Sequence, residues 1–342
     1  YMFRTNIPEG QECYDAACEL ADAGCNIIFA DSFGHEDYMI QAAKDFPDVQ
    51  FCHSTGTKAH TEGLANYHNA FASIYEGRYL AGIAAGMKLN AMIEAGEFKP
   101  EEAKIGYVGA YPYAEVVSGY TAFFLGIRSI VPNVAMEVEY TNSWFDIDKE
   151  GAAAESLIAD GCVIIGQHAD STGAPAATQK LHDNGTICYS VGYNIDMRET
   201  APTAALTSAT NNWKVYYKHA MECMLNGTEL EADWAEGFAQ DAVAITELSD
   251  SCAAGTAEKV AEVEAALKNG TLHVFDTDTF TVGGEKVTTA PCDLSFMDWS
   301  VGKAIYEGET VEAIKDGYFS ESTFRSAPYF QLRIDGITEN AN

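Results

Sequence analysis

Short apolar or β-branched runs alternate with longer amphipathic stretches at intervals of roughly twenty to thirty residues, and that rhythm predicts βα units around parallel sheets. A helix over Gln11–Ala23 carries Cys13, Ala16, Ala17 and Leu20 on one face, stops at Gly24 and feeds a strand over Asn26–Ala30. A helix near Glu36–Lys44, halted before Pro47, leads to a strand over Val49–His53, and a helix over Ile74–Leu89 follows. A second series opens with a strand over Lys104–Ala110 and a helix over Ala114–Ile130. Strand Ala135–Tyr140, helix Asp148–Asp160, strand Cys162–Gly166, helix Ala174–Asn184 and strand Thr186–Val191 complete it. The fold class expected from this is α/β in two lobes, divided in the polar stretch Gly96–Lys104. Beyond residue 200 the clear pieces are a helix over Asn211–Leu225, a strand over Ala242–Ile245, a helix over Thr256–Lys268 and a hairpin over Val274–Val287 that turns at Gly283-Gly284. The tail, with Trp299, Tyr306, Tyr318, Phe319 and Tyr329, is too aromatic for a linker and is expected to pack against the lobes.

Composition narrows the class. A chain of 342 residues that is 47% hydrophobic exceeds one ordinary core. Twenty Lys and Arg against 51 Asp and Glu leave a net charge of −31, which repels a phosphate backbone and argues against nucleic acid as a partner. No 20-residue apolar run suited to crossing a membrane is present. The nine cysteines are scattered singly without a C-x-x-C pair, and Cys25, Cys52, Cys162, Cys188 and Cys223 lie in or beside apolar segments as small core residues. Their odd number leaves at least one free thiol, which suits a reducing cytoplasm or an anaerobe's surface alike. Tyr1-Met2-Phe3-Arg4 shows no signal peptide, so the compartment stays open.

The common signatures of α/β catalysis are missing: no G-x-S-x-G, no G-x-x-x-x-G-K-[ST], no H-E-x-x-H and no G-x-G-x-x-G after the first strand. Gln167-His168-Ala169-Asp170-Ser171 places His, Asp and Ser together, but neighbours on one loop rarely make a triad. Ligands of open parallel sheets bind beyond the carboxyl ends of the strands. Those ends read Asp31-Ser32-Phe33-Gly34-His35, His53-Ser54-Thr55-Gly56, Tyr111-Pro112-Tyr113-Ala114-Glu115, Thr141 to Asp146, Gln167 to Ser171 and Val191 to Asp196. Most combine rings or small residues with a carboxylate, imidazole or amide, the mix a flat heteroaromatic ligand needs. Each has a plainer reading. Trp144 and Phe145 can pack between lobes, although two consecutive rings cannot both point inward on a strand. His168 can be satisfied by backbone, Asp170 and Ser171 can cap the helix near Ala174, and Asn194 and Asp196 can shape a turn. Glu115 is favourable at a helix start with or without a ligand.

Several segments together resemble a known family: Asn6-Ile7-Pro8-Glu9-Gly10, Ser32-Phe33-Gly34, Phe46-Pro47-Asp48-Val49, Tyr75-Glu76-Gly77-Arg78-Tyr79-Leu80-Ala81-Gly82, Lys104 to Val108, Glu115-Val116-Val117, Asn142 to Asp146 and Gln167-His168 with Asp170-Ser171. They are similar to the basic-membrane-protein family, the purine-nucleoside-receptor type of solute-binding lipoprotein that serves ABC importers. The Asn-Ser-Trp and Gln-His-x-Asp-Ser forms look closest to its adenine-like branch.

The resemblance implies a type I periplasmic-binding-protein fold whose two Rossmann-like lobes close on ligand. One lobe would take residues 1–103 and 207–227, the other 104–206 and 228–290, with 291–342 packed on both. It suggests Phe33 and Trp144 as stacking rings, Glu115, His168, Asp170, Asn194 and Asp196 at the ligand's edge or ribose, and Trp213 on the hinge side. The implied partners are a purine base or nucleoside and permease subunits, with no cofactor or metal. The receptor would be a monomer outside the cytoplasm, held by a lipid anchor. Two departures stand out. The chain begins at what would be the family's second strand, so the first sheet is expected to lack its central strand and one stacking ring. Asn211 stands roughly where nucleoside-binding members carry Lys, which favours a bare base. The rival readings are a purine-processing enzyme, nucleosidase-like, on a similar scaffold, and a transcriptional sensor, which would need a basic headpiece this sequence does not contain.

Overall fold

The computed structural model describes residues 1–298, 303–306 and 308–340. The chain opens with α1 (Gln11–Asp22), β1 (Ile27–Ala30), α2 (Glu36–Asp45), β2 (Gln50–Ser54), the single-turn α3 (Ala59–Glu62), β3 (Tyr67–Ala70) and α4 (Ile74–Glu94). The second series is β4 (Lys104–Gly109), α5 (Ala114–Ile130), β5 (Ala135–Tyr140), α6 (Ile147–Ala159), β6 (Ile164–Gln167), α7 (Gly173–Asp183), β7 (Tyr189–Tyr193) and β8 (Ala205–Asn211). Then come α8 (Lys214–Asn226), β9 (Asp233–Trp234), β10 (Val243–Ile245) and α9 (Thr256–Lys268), with Ile337–Glu339 as β11. Two main sheets result, a four-stranded one in the order β1-β2-β3-β9 and a seven-stranded one in the order β10-β8-β7-β6-β4-β5-β11, beside four two-stranded ribbons among the described residues. Within these two sheets the pairings are parallel except that of β10 with β8.

Most helices and strands lie within a few residues of their expected positions. β3, β8 and β9 had no expectation. β3 reads Tyr-His-Asn-Ala and β8 reads Ala-Leu-Thr-Ser-Ala-Thr-Asn, so polar side chains buried at mid-sheet break the apolar run that marks a strand. β8 also takes Asn211, which moves the start of the following helix to Lys214.

The expected lobe boundary at Gly96–Lys104 is corrected by the packing. That stretch is a surface loop joining α4 to β4, and α4 packs along α5 and against α9 and β8, on the second sheet. The chain crosses between sheets at Phe71–Ser73, where the Phe71 N–H donates to Trp234 O and the Ser73 N–H to Glu236 O, so outgoing and returning segments run side by side. These residues are buried, and a buried crossover carries no polar linker composition. Residues 207–211 belong to the second sheet through β8, and 233–234 to the first through β9, opposite to the expected lobes. α8 stays with the first sheet, where Tyr217 meets Phe29 and Tyr216 meets Trp234.

The start of the chain, expected as a strand, is irregular. β1 is an edge strand among the described residues, and residues 1–10 do not pair with its open edge. Met2 to Ile7 instead line a groove against α1 and β1. In the tail, β11 extends the second sheet beside β5, and Phe319, Tyr329, Phe330 and Ile334 enter the main core. Ser326 donates through its N–H and hydroxyl to Asp233 on β9. Trp299 lies outside the described residues. The cysteines are free; Cys13 is buried on the apolar face of α1, whereas Cys25, expected as a core residue, is half-exposed.

Candidate functional site

The carboxyl ends of the two sheets meet across a cleft of about 280 Å³. Asp31, Ser32 and Phe33, just after β1, and Ser54 and Thr55, at the end of β2, form one wall. Glu115 at the start of α5, Trp144 after β5, Asp170 after β6 and Tyr193-Asn194 at the end of β7 form the other. Asn211, Trp213 and Tyr217 close the side where β8 passes into α8.

The backbone at this rim is held in unusual conformations. Ser32, Thr55 and Asn194 have φ of 77°, 75° and 62°, a region that costs non-glycine residues energy and persists only where surrounding bonds impose it. The buried His53 ring, pushed down to about 4 by desolvation and hence neutral, contacts Ser32 O through Nε2 at 2.8 Å. The Thr55 N–H donates to Ala70 O at 2.9 Å. Asn194 is pinned twice, its N–H donating to Ala209 O at 2.9 Å and its carbonyl accepting from the Thr210 hydroxyl at 2.6 Å.

The loop after β6 is fixed as firmly. Gln167 Nε2 donates to Ala169 O and Ser171 O, and the wholly buried Glu150 carboxylate accepts the Ser171 N–H. The Asp170 N–H donates to Trp144 O at 2.6 Å, which ties the two cleft loops together. The Asp170 carboxyl opens onto the cleft and accepts from Asn194 Nδ2 at 3.1 Å.

Rings line the mouth. Phe33 stacks on Tyr113 with centroids 5.6 Å apart, a contact that spans the two halves, and Tyr113 continues to Tyr111 at 5.1 Å and Trp144 at 6.1 Å. Trp144 is half-buried while Phe145 turns to solvent, so the first of the consecutive rings faces the cleft.

Electrostatically the cleft is acidic, with one buried cation behind it. Burial pushes the Glu115 carboxyl up to about 7 against the pull of Arg78, and desolvation between the cleft walls, reinforced by Glu115, does the same to Asp170. Arg78, on α4, stacks its guanidinium 3.7 Å from the Tyr193 ring centroid and donates to Gln167 O, leaving Nε and Nη2 without partners.

Of the expected site residues, Phe33, Glu115, Trp144, Asp170, Asn194 and Trp213 line the cleft. His168 and Asp196 do not. His168 is wholly buried behind Glu115, since it directly follows the last residue of β6 and its side chain turns inward to Tyr107 and Tyr193. Asp196 points away because the left-handed Asn194 turns the chain, and its carboxylate closes on the Arg198 guanidinium at 2.6 Å. Asp31, Ser32, Ser54, Thr55, Tyr193, Asn211 and Tyr217 also line the cleft without having been singled out as site residues. All but Asn211 and Tyr217 lie in the strand-end segments, and Tyr217 follows Trp213 at helical i+4 spacing. No group of three or more His, Cys, Asp or Glu suited to a metal occurs among the described residues, and no helix there is long and apolar enough to cross a membrane.

A family model described as ABC transporter substrate-binding protein, PnrA-like, matches residues 3–278. The chain belongs to that family. A purine-binding protein of Brucella abortus is 35% identical over 274 residues, covering 80% of this chain and 72% of its own. A Haloferax volcanii protein described as a candidate ABC transporter glucose-binding protein is 33% identical over 263 residues, covering 77% of this chain and 62% of its own. The solved structure of an Aeropyrum pernix ABC transporter solute-binding protein superposes with a TM-score of 0.64 at 14% identity, covering 78% of this chain and 82% of that one. The fold is that of the two-lobed type I periplasmic-binding proteins. Members of such a family hold a small molecule for permease subunits outside the cytoplasm.

Proposed function

We propose that the ligand is a purine, bound as base or nucleoside with the bare base favoured, between Phe33 and Trp144. Carboxyl, amide and hydroxyl groups would meet its edge. The observation that carries this reading is the cleft itself, where rings from both halves border a slot whose polar groups come from the ends of β1, β2, β6, β7 and β8. A planar heterocycle uses both features, stacking on π faces and pairing at its edge. Asn211 in place of a cation, and the name of the Brucella relative, point the same way. Glu115, Asp170, Asn194 and Trp213 would complete the binding set, and the family resemblance extends the reading to a monomeric receptor anchored by lipid. Ligand touching both lobes only in the closed form would shift the hinge equilibrium toward the state a permease recognises.

The Haloferax relative supports a second reading, a monosaccharide against the same rings. Calorimetric titration with adenine, hypoxanthine, adenosine and glucose decides between them: a purine should bind with one-to-one stoichiometry, and saturation by glucose alone would overturn the purine reading. Incubation with adenosine followed by chromatography tests the enzymatic alternative, for which recovery of unchanged nucleoside is the expected result.

A further inference from the structure

Behind the cleft wall lies a buried relay. Tyr107 on β4 brings its hydroxyl 3.4 Å from His168 Nδ1, and His168 Nε2 lies 3.1 Å from Glu115 Oε1. Tyr107 and His168 are both shut off from solvent. Most buried polar groups are satisfied, and the Tyr107 O–H has no other acceptor among the described residues, so it donates to Nδ1. That assignment puts the single proton of the neutral ring on Nε2, which donates to Glu115 Oε1. Oε2 is then the Glu115 atom left to carry a proton into the cleft.

We propose that Glu115 is the specificity-determining group of the cleft: held by His168, it binds as the neutral acid and donates from Oε2 to an unprotonated ring nitrogen of an amino-substituted heterocycle. The proposal rests on the purine reading and deepens it. An ionised Glu115 would set its charge against the lone pair of that nitrogen, so binding above neutrality draws one proton from solvent onto Oε2. Asp170, its neighbour in the cleft, then serves as the acceptor for an amino group, and two carboxyls with different protonation read a donor and an acceptor side by side.

The groups facing Glu115 agree with this division. His168, from the loop after β6, is held neutral by burial and by Arg78, and supplies no positive charge to keep Glu115 ionised. Among the described residues Arg78, on α4, is the cation acting on Glu115, and desolvation outweighs it. Asp170 adds a like charge, and Tyr107 and Tyr193 stay protonated. Asp170 itself faces Glu150 on α6, Arg78 and the Asn194 amide.

The test is calorimetry of the whole chain with adenine from about pH 6 to about pH 9, in two buffers of different ionisation enthalpy. The expected result is uptake of close to one proton per adenine at the alkaline end, with Kd rising about tenfold per pH unit above the Glu115 pKa. Glu115→Gln, which keeps a neutral donor, should bind adenine with no proton uptake and with a flat profile above about pH 8, where Asp170, itself lifted to about 7, is already ionised. His168→Leu should shift the midpoint of the profile, and an unshifted midpoint would remove His168 as the positioning residue. Adenine binding without proton uptake, or uptake that survives in Glu115→Gln, overturns the proposal. If the Gln variant does not fold, the two-buffer comparison is repeated on Asp170→Asn, in which uptake should persist, and its loss there would overturn the assignment to Glu115. A chain that binds no adenine at any pH overturns the purine reading itself, an outcome distinct from binding with a flat profile.

Discussion

Trp144 is placed by its own carbonyl, which takes the Asp170 N–H, and by Tyr111, whose ring meets it edge-on at 5.3 Å. Its indole therefore presents a fixed face to the cleft. Trp144→Ala should weaken ligand binding by about 1–3 kcal/mol, the scale of base stacking on protein aromatics, and titration of the variant reads it directly. Asp196 gives the opposite expectation. Its carboxylate is committed to Arg198, so Asp196→Ala should leave the dissociation constant within twofold of the unaltered chain, that is about 0.4 kcal/mol. At this scale the sequence was informative where a residue's position followed from its strand. Phe33, Glu115 and Asp170 follow strands whose ends the alternation marks. His168 and Asp196 were misjudged because one inward side chain and one left-handed turn decide where they point, and neither leaves a mark on composition.

Among the elements, α4 and α5 approach each other closely. A Cβ on Gly126 would come 2.2 Å from Tyr79 O, and one on Gly82 would come 2.3 Å from Phe123 O. Both are backbone contacts that no side-chain rotation relieves. Gly126→Ala should therefore destabilise the protein by about 1–3 kcal/mol or more, the cost of overpacking a close contact, read as a lowered denaturant midpoint with unchanged slope. The βα rhythm disclosed most elements because each buries one face and exposes the other. The crossovers stayed hidden for the converse reason: Phe71–Ser73 is buried on all sides, so nothing polar announces it, whereas the polar Gly96–Lys104 loop only joins two elements of the same sheet. β3 and β8 were silent because mid-sheet strands here bury His, Asn, Thr and Ser.

For the whole molecule, a net charge of −31 combines with carboxyls buried away from water. Burial lifts Glu76 to about 7, Glu115 to about 7 and Glu321 to about 8, from an ordinary value of 4.5. Between those values the native state holds protons that the unfolded chain releases, so unfolding becomes easier as pH rises. Each such group lowers stability by up to about 1.4 kcal/mol per pH unit through that window. Thermal unfolding without ligand should show a higher midpoint at about pH 5.5 than at about pH 8, and self-repulsion of the surface charge acts in the same direction. A midpoint that rises with pH would mean these carboxyls are ionised in the folded chain.

The account turns on one heterocycle gripped between the two halves. A crystal structure grown with adenine tests that most directly. The account predicts planar density between Phe33 and Trp144, with Glu115 and Asp170 at its edge and atoms of both sheets' loops in contact with it. Density elsewhere, or an empty cleft with Phe33 still stacked on Tyr113, would contradict it.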